Sequence, residues 1–132
     1  MNDREEITDV LIRYATGIDT QDWPLFRTCF TPDVDADYGD IGVWHDVDGI
    51  TEYMAKTHAG MPATNHMLTN MAISVDGDRA TAVTYVHAVL VVSRDPETSV
   101  DAVGKYEDSL VRTADGWRIA ARRFVPTRLR FG

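Results

Sequence analysis

The amino-acid sequence predicts an α+β protein, helices first and a four-strand antiparallel meander after them. Two observations predict it. Apolar residues recur at helical spacing in the N-terminal part, whereas from Thr64 onward β-rich runs take over. Those runs are separated by turn sequences: Asp76-Gly77, Arg94-Asp95-Pro96-Glu97 and Ala114-Asp115-Gly116. The 132 residues suit one domain over 1–132, long enough to bury a real core, with no repeat or linker.

Asn2 or Asp3 can cap a first helix, with Glu5 and Glu6 at the positive end of its dipole. Ile7, Val10, Leu11, Tyr14 and Ile18 follow as its apolar stripe. Tyr14 lies in that stripe, where a core tyrosine is the simple account. Asp22 caps a second helix, with Pro24 in its first turn and Trp23, Leu25, Phe26 and Phe30 along it. Thr31-Pro32 breaks it, and Asp33–Tyr38 alternates as a strand with Val34, Ala36 and Tyr38 on one face. Gly39–Gly42 is a turn. Asp48 can cap a third helix, Ile50–His58, which Gly60 and Pro62 end. The strands then run to Val75, over 79–93, over 100–113, and from Trp117 to about Arg130.

The net charge of −8 disfavours nucleic acid and anionic membranes as partners, since both need a basic surface. The single Cys29 excludes an internal disulfide and fits a reducing compartment; Leu25, Phe26 and Phe30 around it suggest a core thiol. Residues 1–6 are charged with no apolar stretch behind them, which is no secretory signal. The longest apolar run, Ala88–Val92, is far too short to span a bilayer. A cytoplasmic protein is expected.

The chemistry-bearing stretch is Ala63–Asn70. On a strand, His66, Leu68, Asn70 and Ala72 share one face, and Met67, Thr69, Met71, Ile73 and Val75 the other. A polar pair on an apolar strand either lines a pocket or is satisfied within the core. Asp19 sits where the first helix ends, beside unpaired carbonyls, an environment expected to raise a carboxyl pKa and suit it to acid/base work. A plain loop carboxylate is the alternative. The Asp-Gly turn pairs the His66 strand with one carrying His87, a second candidate whose face depends on register. The spaced aspartates at 33–37 recur like a calcium loop, but Tyr38 and Trp44 occupy its glycine and glutamate positions. His45-Asp46-Val47-Asp48 lacks the second ligand cluster that a metal site needs. No metal and no organic cofactor is expected, and no Gly-rich phosphate loop occurs.

Taken together, Tyr14…Asp19-Thr20-Gln21-Asp22-Trp23…Phe26…Phe30, Asp37-Tyr38, His66-Met67-Leu68-Thr69-Asn70 and Gly116-Trp117-Arg118-Ile119 resemble the SnoaL-like proteins. These share a superfamily with ketosteroid isomerase and scytalone dehydratase, and the resemblance covers nearly the whole chain. It implies a cystatin-like cone: a curved antiparallel sheet wrapped around three N-terminal helices, an α+β barrel with a pocket inside. It also implies catalytic roles for Asp19 and His66 and a substrate-binding or polarising role for Tyr38. Tyr14 matches a tyrosine of related bile-acid dehydratases. The second catalytic histidine of scytalone dehydratase falls near Leu90, three residues from His87. Tyr106 and Asp108 are the only further candidates for the oxyanion-donor pair of the steroid isomerases, and an ordinary strand pair is the simpler account of them. This fold also carries cyclases, epoxide hydrolases and binding modules, so it does not dictate activity.

The constellation suits proton abstraction beside a carbonyl, then loss of water or double-bond migration. His66 and His87 are the candidate acid/base groups, with Asp19 orienting His66 or shuttling the proton. Tyr14, Tyr38, Asn70 and Tyr106 would bind substrate. A polycyclic or otherwise hydrophobic substrate is expected from the aromatic and methionine content, and the resemblance implies a polyketide- or steroid-like one; a non-catalytic ligand-binding module is the alternative. Both faces of strand 79–92 read as apolar, as does the Met67–Val75 face, so a homodimer through the outer sheet face is expected.

Overall fold

The structure is a computed structural model describing residues 1–132. Helix α1 spans Asp3–Asp19, capped by the Asn2 side chain, which accepts the Glu5 N–H at 2.9 Å. Its buried stripe contains the five positions that the periodicity marked. Helix α2, Trp23–Arg27, is shorter than expected. Strand β1, Phe30–Asp37, starts where the helix was expected to end. Phe26, Cys29 and Phe30 are buried in this arrangement and would be on a longer helix too. Burial pattern therefore could not choose, and pairing of Phe30 with Ile119 does. The two helices approach closely at Gly17, where a Cβ would stand 3.0 Å from the Phe26 backbone.

After a short 3₁₀ turn, β2 (Val43–Trp44) pairs back on β1, and α3 runs Val47–His58. Its cap is Asp46, which accepts the Gly49 N–H at 2.6 Å; Asp48, the residue expected there, instead meets Arg27 on the surface. Four long strands follow: β3 Ala63–Asp76, β4 Arg79–Arg94, β5 Glu97–Thr113 and β6 Gly116–Phe131. They form the expected antiparallel meander. The six-strand order is β2-β1-β6-β5-β4-β3, and β1 joins β6 in parallel, so the sheet is mixed at that edge. Helix α1 touches both β3 and β6, which the curvature of the unclosed sheet brings to it. No helix is long and apolar enough to cross a membrane.

One bulge reassigns a whole face. Thr69 pairs with Tyr85 and Met71 with Thr84, leaving Asn70 unpaired at φ 41°. Before it, His66 and Leu68 point inward; after it, Met71, Ile73 and Val75 do. The apolar second face expected for this strand is therefore split, with Met67 and Thr69 outward and Met71, Ile73 and Val75 inward. On β4, Ala80, Ala82, Thr84, Val86 and Ala88 are buried, while Thr81, Tyr85 and His87 stand outside.

Candidate active site

Asp19 is the last residue of α1, and the way that helix stops sets its direction. Asp22 N–H donates to Gly17 C=O at 2.9 Å and Gln21 N–H to Ile18 C=O at 3.2 Å, with Gln21 left-handed at φ 54°. This is a Schellman closure with glutamine where glycine is usual, a backbone strain of the kind found beside functional sites. The Asp19 carboxyl crosses to β3. Its Oδ1 lies 2.7 Å from His66 Nδ1 and accepts the Thr64 hydroxyl at 2.8 Å; its Oδ2 accepts the His66 backbone N–H at 2.8 Å. Burial raises the carboxyl pKa, but the bonds from His66 side chain and backbone, with Thr64, outweigh it and hold Asp19 below its usual value. The raised pKa expected at a helix end does not occur, because three donors oppose it. A carboxylate only accepts, so the proton between the two side chains sits on His66 Nδ1, and Nε2 of the neutral ring is bare.

Opposite stands a cluster of tyrosines on a buried ion pair. Tyr14 and Tyr38 hydroxyls are 2.8 Å apart, and the Tyr106 ring packs 5.6 Å from Tyr14. Burial pushes all three phenols above their ordinary range, so they are protonated donors. Whichever hydroxyl donates within the Tyr14–Tyr38 pair, the other O–H is left over from that bond. Behind them Arg122 makes a two-pronged bond to Asp108 at 2.8 and 2.9 Å, with both side chains almost fully buried. Its guanidinium carbon lies 3.9 Å from the Tyr106 ring centre and 4.2 Å from that of Tyr14, and Nη1 reaches Tyr38 Oη at 3.5 Å. Burial opposes the Arg122 charge, but Asp108 beside it holds the group protonated.

A cavity of about 240 Å³ lies between these groups. Tyr53, Met54, Leu90, Ala102, Phe124 and Phe131 are among its walls, and the lining residues outside the hydrophobic and aromatic set are Thr57, His58 and His66. Tyr14, Tyr38 and Tyr106 line it too, and Asp19 touches it through His66.

Five of the expected site residues thus converge: Asp19, His66, Tyr14, Tyr38 and Tyr106. His87 does not. It lies on the outer face of β4 and bonds Asp101 at 3.1 Å, because its register partner Met67 also points outward. Asn70 does not either; as the bulged residue it is exposed, and the two-residue alternation that put it beside His66 breaks there. The sequence reading missed His58, read only as a helix end, and Arg122. Arg122 is one of five arginines on β6, so nothing local singles it out, and its partner Asp108 is identified only by strand pairing. Cys29 is a core thiol, pushed up to about 11 by burial. His45 bonds Asp35 at the surface, and no three His, Cys, Asp or Glu side chains converge as a metal-ligand set.

Relatives carry the same architecture. An uncharacterized protein of Mycobacterium tuberculosis is 32% identical over 126 residues, covering 92% of this chain and 84% of its own length. A crystal structure from Novosphingobium aromaticivorans, provisionally named an aromatic ring hydroxylase, is 30% identical, with a TM-score of 0.89 over 98% of this chain and 93% of its own. A hexachlorocyclohexane dehydrochlorinase superposes with a TM-score of 0.86 over 98% of this chain and 88% of its own; at 16% identity it speaks for the fold alone. The profile of the SnoaL-like domain family matches residues 1–123. The chain belongs to the SnoaL-like family.

Proposed function

We propose that the cavity is the active site of a cofactor-independent dehydratase or isomerase that moves protons on a small hydrophobic ring substrate. The observation that carries this reading is the Asp19–His66 pair at 2.7 Å, with the imidazole on the wall of a mostly apolar cavity. In the proposed reaction, His66 Nε2 takes a proton from the carbon next to a carbonyl, and the electron pair moves onto the carbonyl oxygen. Asp19 stabilises the imidazolium formed and keeps its tautomer. The remaining O–H of the Tyr14–Tyr38 pair donates to the developing oxyanion, with the Arg122 charge behind it. The enolate then returns its electrons. His66 delivers the proton either to a departing β-hydroxyl, releasing water, or to the γ-carbon of an unsaturated substrate, moving the double bond.

The cavity volume supports a smaller substrate than the steroid-like one that the resemblance implied. At about 240 Å³, below the roughly 300–1,000 Å³ of sites for drug-sized ligands, the cavity favours one or two rings over four. The name of the Novosphingobium neighbour agrees with an aromatic ring as ligand. Separately from that chemistry, we propose that the protein is a cytoplasmic homodimer. Met67 and Tyr85, 44% and 50% exposed, with the half-buried Val83 and Val89, would form the centre of an outer-face contact.

The test uses 2-tetralone, a two-ring ketone with exchangeable protons beside its carbonyl. In heavy water the protein should catalyse deuterium uptake at that carbon, and His66→Ala should lower the rate by roughly two to four orders of magnitude. Binding of the ketone without exchange above the buffer rate would make the cavity a ligand-binding module instead.

A further inference from the structure

One polar atom of the cavity has no part in that chemistry. His58 is the last residue of α3 and is 4% exposed. Its ring centre lies 6.2 Å from that of His66, and the Trp23 ring packs against it edge-on at 6.2 Å. Gln21, the left-handed residue after α1, donates to the His58 backbone carbonyl at 3.0 Å and fixes this helix end beside Asp19.

The protonation pattern of His58 follows from its neighbours. Nδ1 is 2.8 Å from the Met54 carbonyl oxygen, which can only accept, so Nδ1 carries the hydrogen. The Thr57 hydroxyl, 3.1 Å from the same nitrogen, has the Met54 carbonyl within its own reach at 3.3 Å and needs no acceptor on the ring. Nε2 of the neutral ring is then a lone-pair acceptor. It has no hydrogen-bond partner and is covered at the wall of the cavity that His58 lines, so a donor reaches it only when the ring or a neighbouring side chain shifts. Burial, the largest influence, holds the imidazole below its usual pKa, so a second proton does not fill the position near neutral pH. Buried acceptors are rarely left unpaired, and an orphaned one beside a cavity marks where a ligand donor belongs.

We infer that His58 Nε2 accepts a hydrogen bond from a hydroxyl group of the ligand, which makes the cavity selective for hydroxylated one- or two-ring molecules over their ether or hydrocarbon counterparts. The inference rests on the cavity being a ligand site and not on turnover. His66 offers a second bare nitrogen, but that atom is the proposed base. The two histidines are therefore separable by substitution.

The probes are 2-naphthol and 2-methoxynaphthalene, alike in ring size but with and without an O–H donor. Titration calorimetry on the full chain should show 2-naphthol bound about tenfold more tightly. His58→Phe should bring the two affinities within about twofold, and His66→Phe should leave the preference standing. Because His58→Phe also removes the bond to Met54, a measurement on the unaltered protein runs beside it. The ¹⁵N resonance of His58 Nε2 should move upfield on adding 2-naphthol and stay in place with the ether. Equal affinities in the unaltered protein, a preference lost with His66 instead of His58, or an Nε2 resonance unmoved by 2-naphthol would each overturn the assignment. Failure of 2-tetralone exchange leaves these results intact and counts only against the catalytic reading.

Discussion

The carboxylate of Asp19 holds His66 at two points, side-chain Nδ1 at 2.7 Å and backbone N–H at 2.8 Å, so one residue fixes both the ring and the strand that carries it. Replacing Asp19 by Asn keeps the shape but changes the donor count. An amide that accepts the backbone N–H through its oxygen can only donate to Nδ1 through its nitrogen, which forces the hydrogen onto Nε2. Asp19→Asn should therefore lower 2-tetralone exchange by roughly two to four orders of magnitude with little change in circular dichroism. Imidazole ¹⁵N spectra should show the tautomer reversed.

The same carboxylate ties stability to pH. Its folded pKa lies below the unfolded value, so its contribution is fully present above the unfolded carboxylate range, about 3.9, and is lost as pH falls through the folded value. The stability difference between the protein and Asp19→Asn should be largest near neutral pH and shrink below about pH 4, measured by urea unfolding. A difference that grows on acidification would contradict the lowered pKa.

Arg122 and Asp108 form a pair that neither partner can leave. Arg122→Met leaves a carboxylate buried among aromatic rings and should cost about 3–5 kcal/mol in urea unfolding. The double change with Asp108→Leu removes both charges and should recover most of that loss.

Tyr14 and Tyr38 share one hydrogen bond and can substitute for each other as donor. Either change to Phe should slow exchange by about tenfold or less, and the double change by roughly two to three orders of magnitude, because only then is the last donor lost. Additive single effects in steady-state rates would assign the two hydroxyls separate roles.

Light scattering should give about twice the 14.8 kDa chain mass at micromolar concentration, and Tyr85→Glu should reduce it to one chain. The interface needs at least about 1,000 Å² in total. A single-chain mass for the unaltered protein rules out the outer-face dimer.

Much of the molecule is written locally. The stripe Ile7–Ile18, the Asn2 and Asp22 caps and the Asp76-Gly77 turn follow from spacings of a few residues, and they placed α1, the start of α2 and the β3–β4 hairpin. The residues opening the site were legible for the same reason: Asp19 by its place at a helix end, His66 by its place on an apolar strand. The tertiary structure decided the rest, because each missing part is a contact between distant positions. A single bulged residue, Asn70, reverses which side of β3 faces inward, and no local pattern announces it. The parallel union of β1 with β6, the Arg122–Asp108 pair across two strands, and His58 brought beside His66 depend on how the sheet curves around α1. Burial and hydrogen bonding, which set the charge on Asp19 and the tautomers of both histidines, exist only once those surfaces meet.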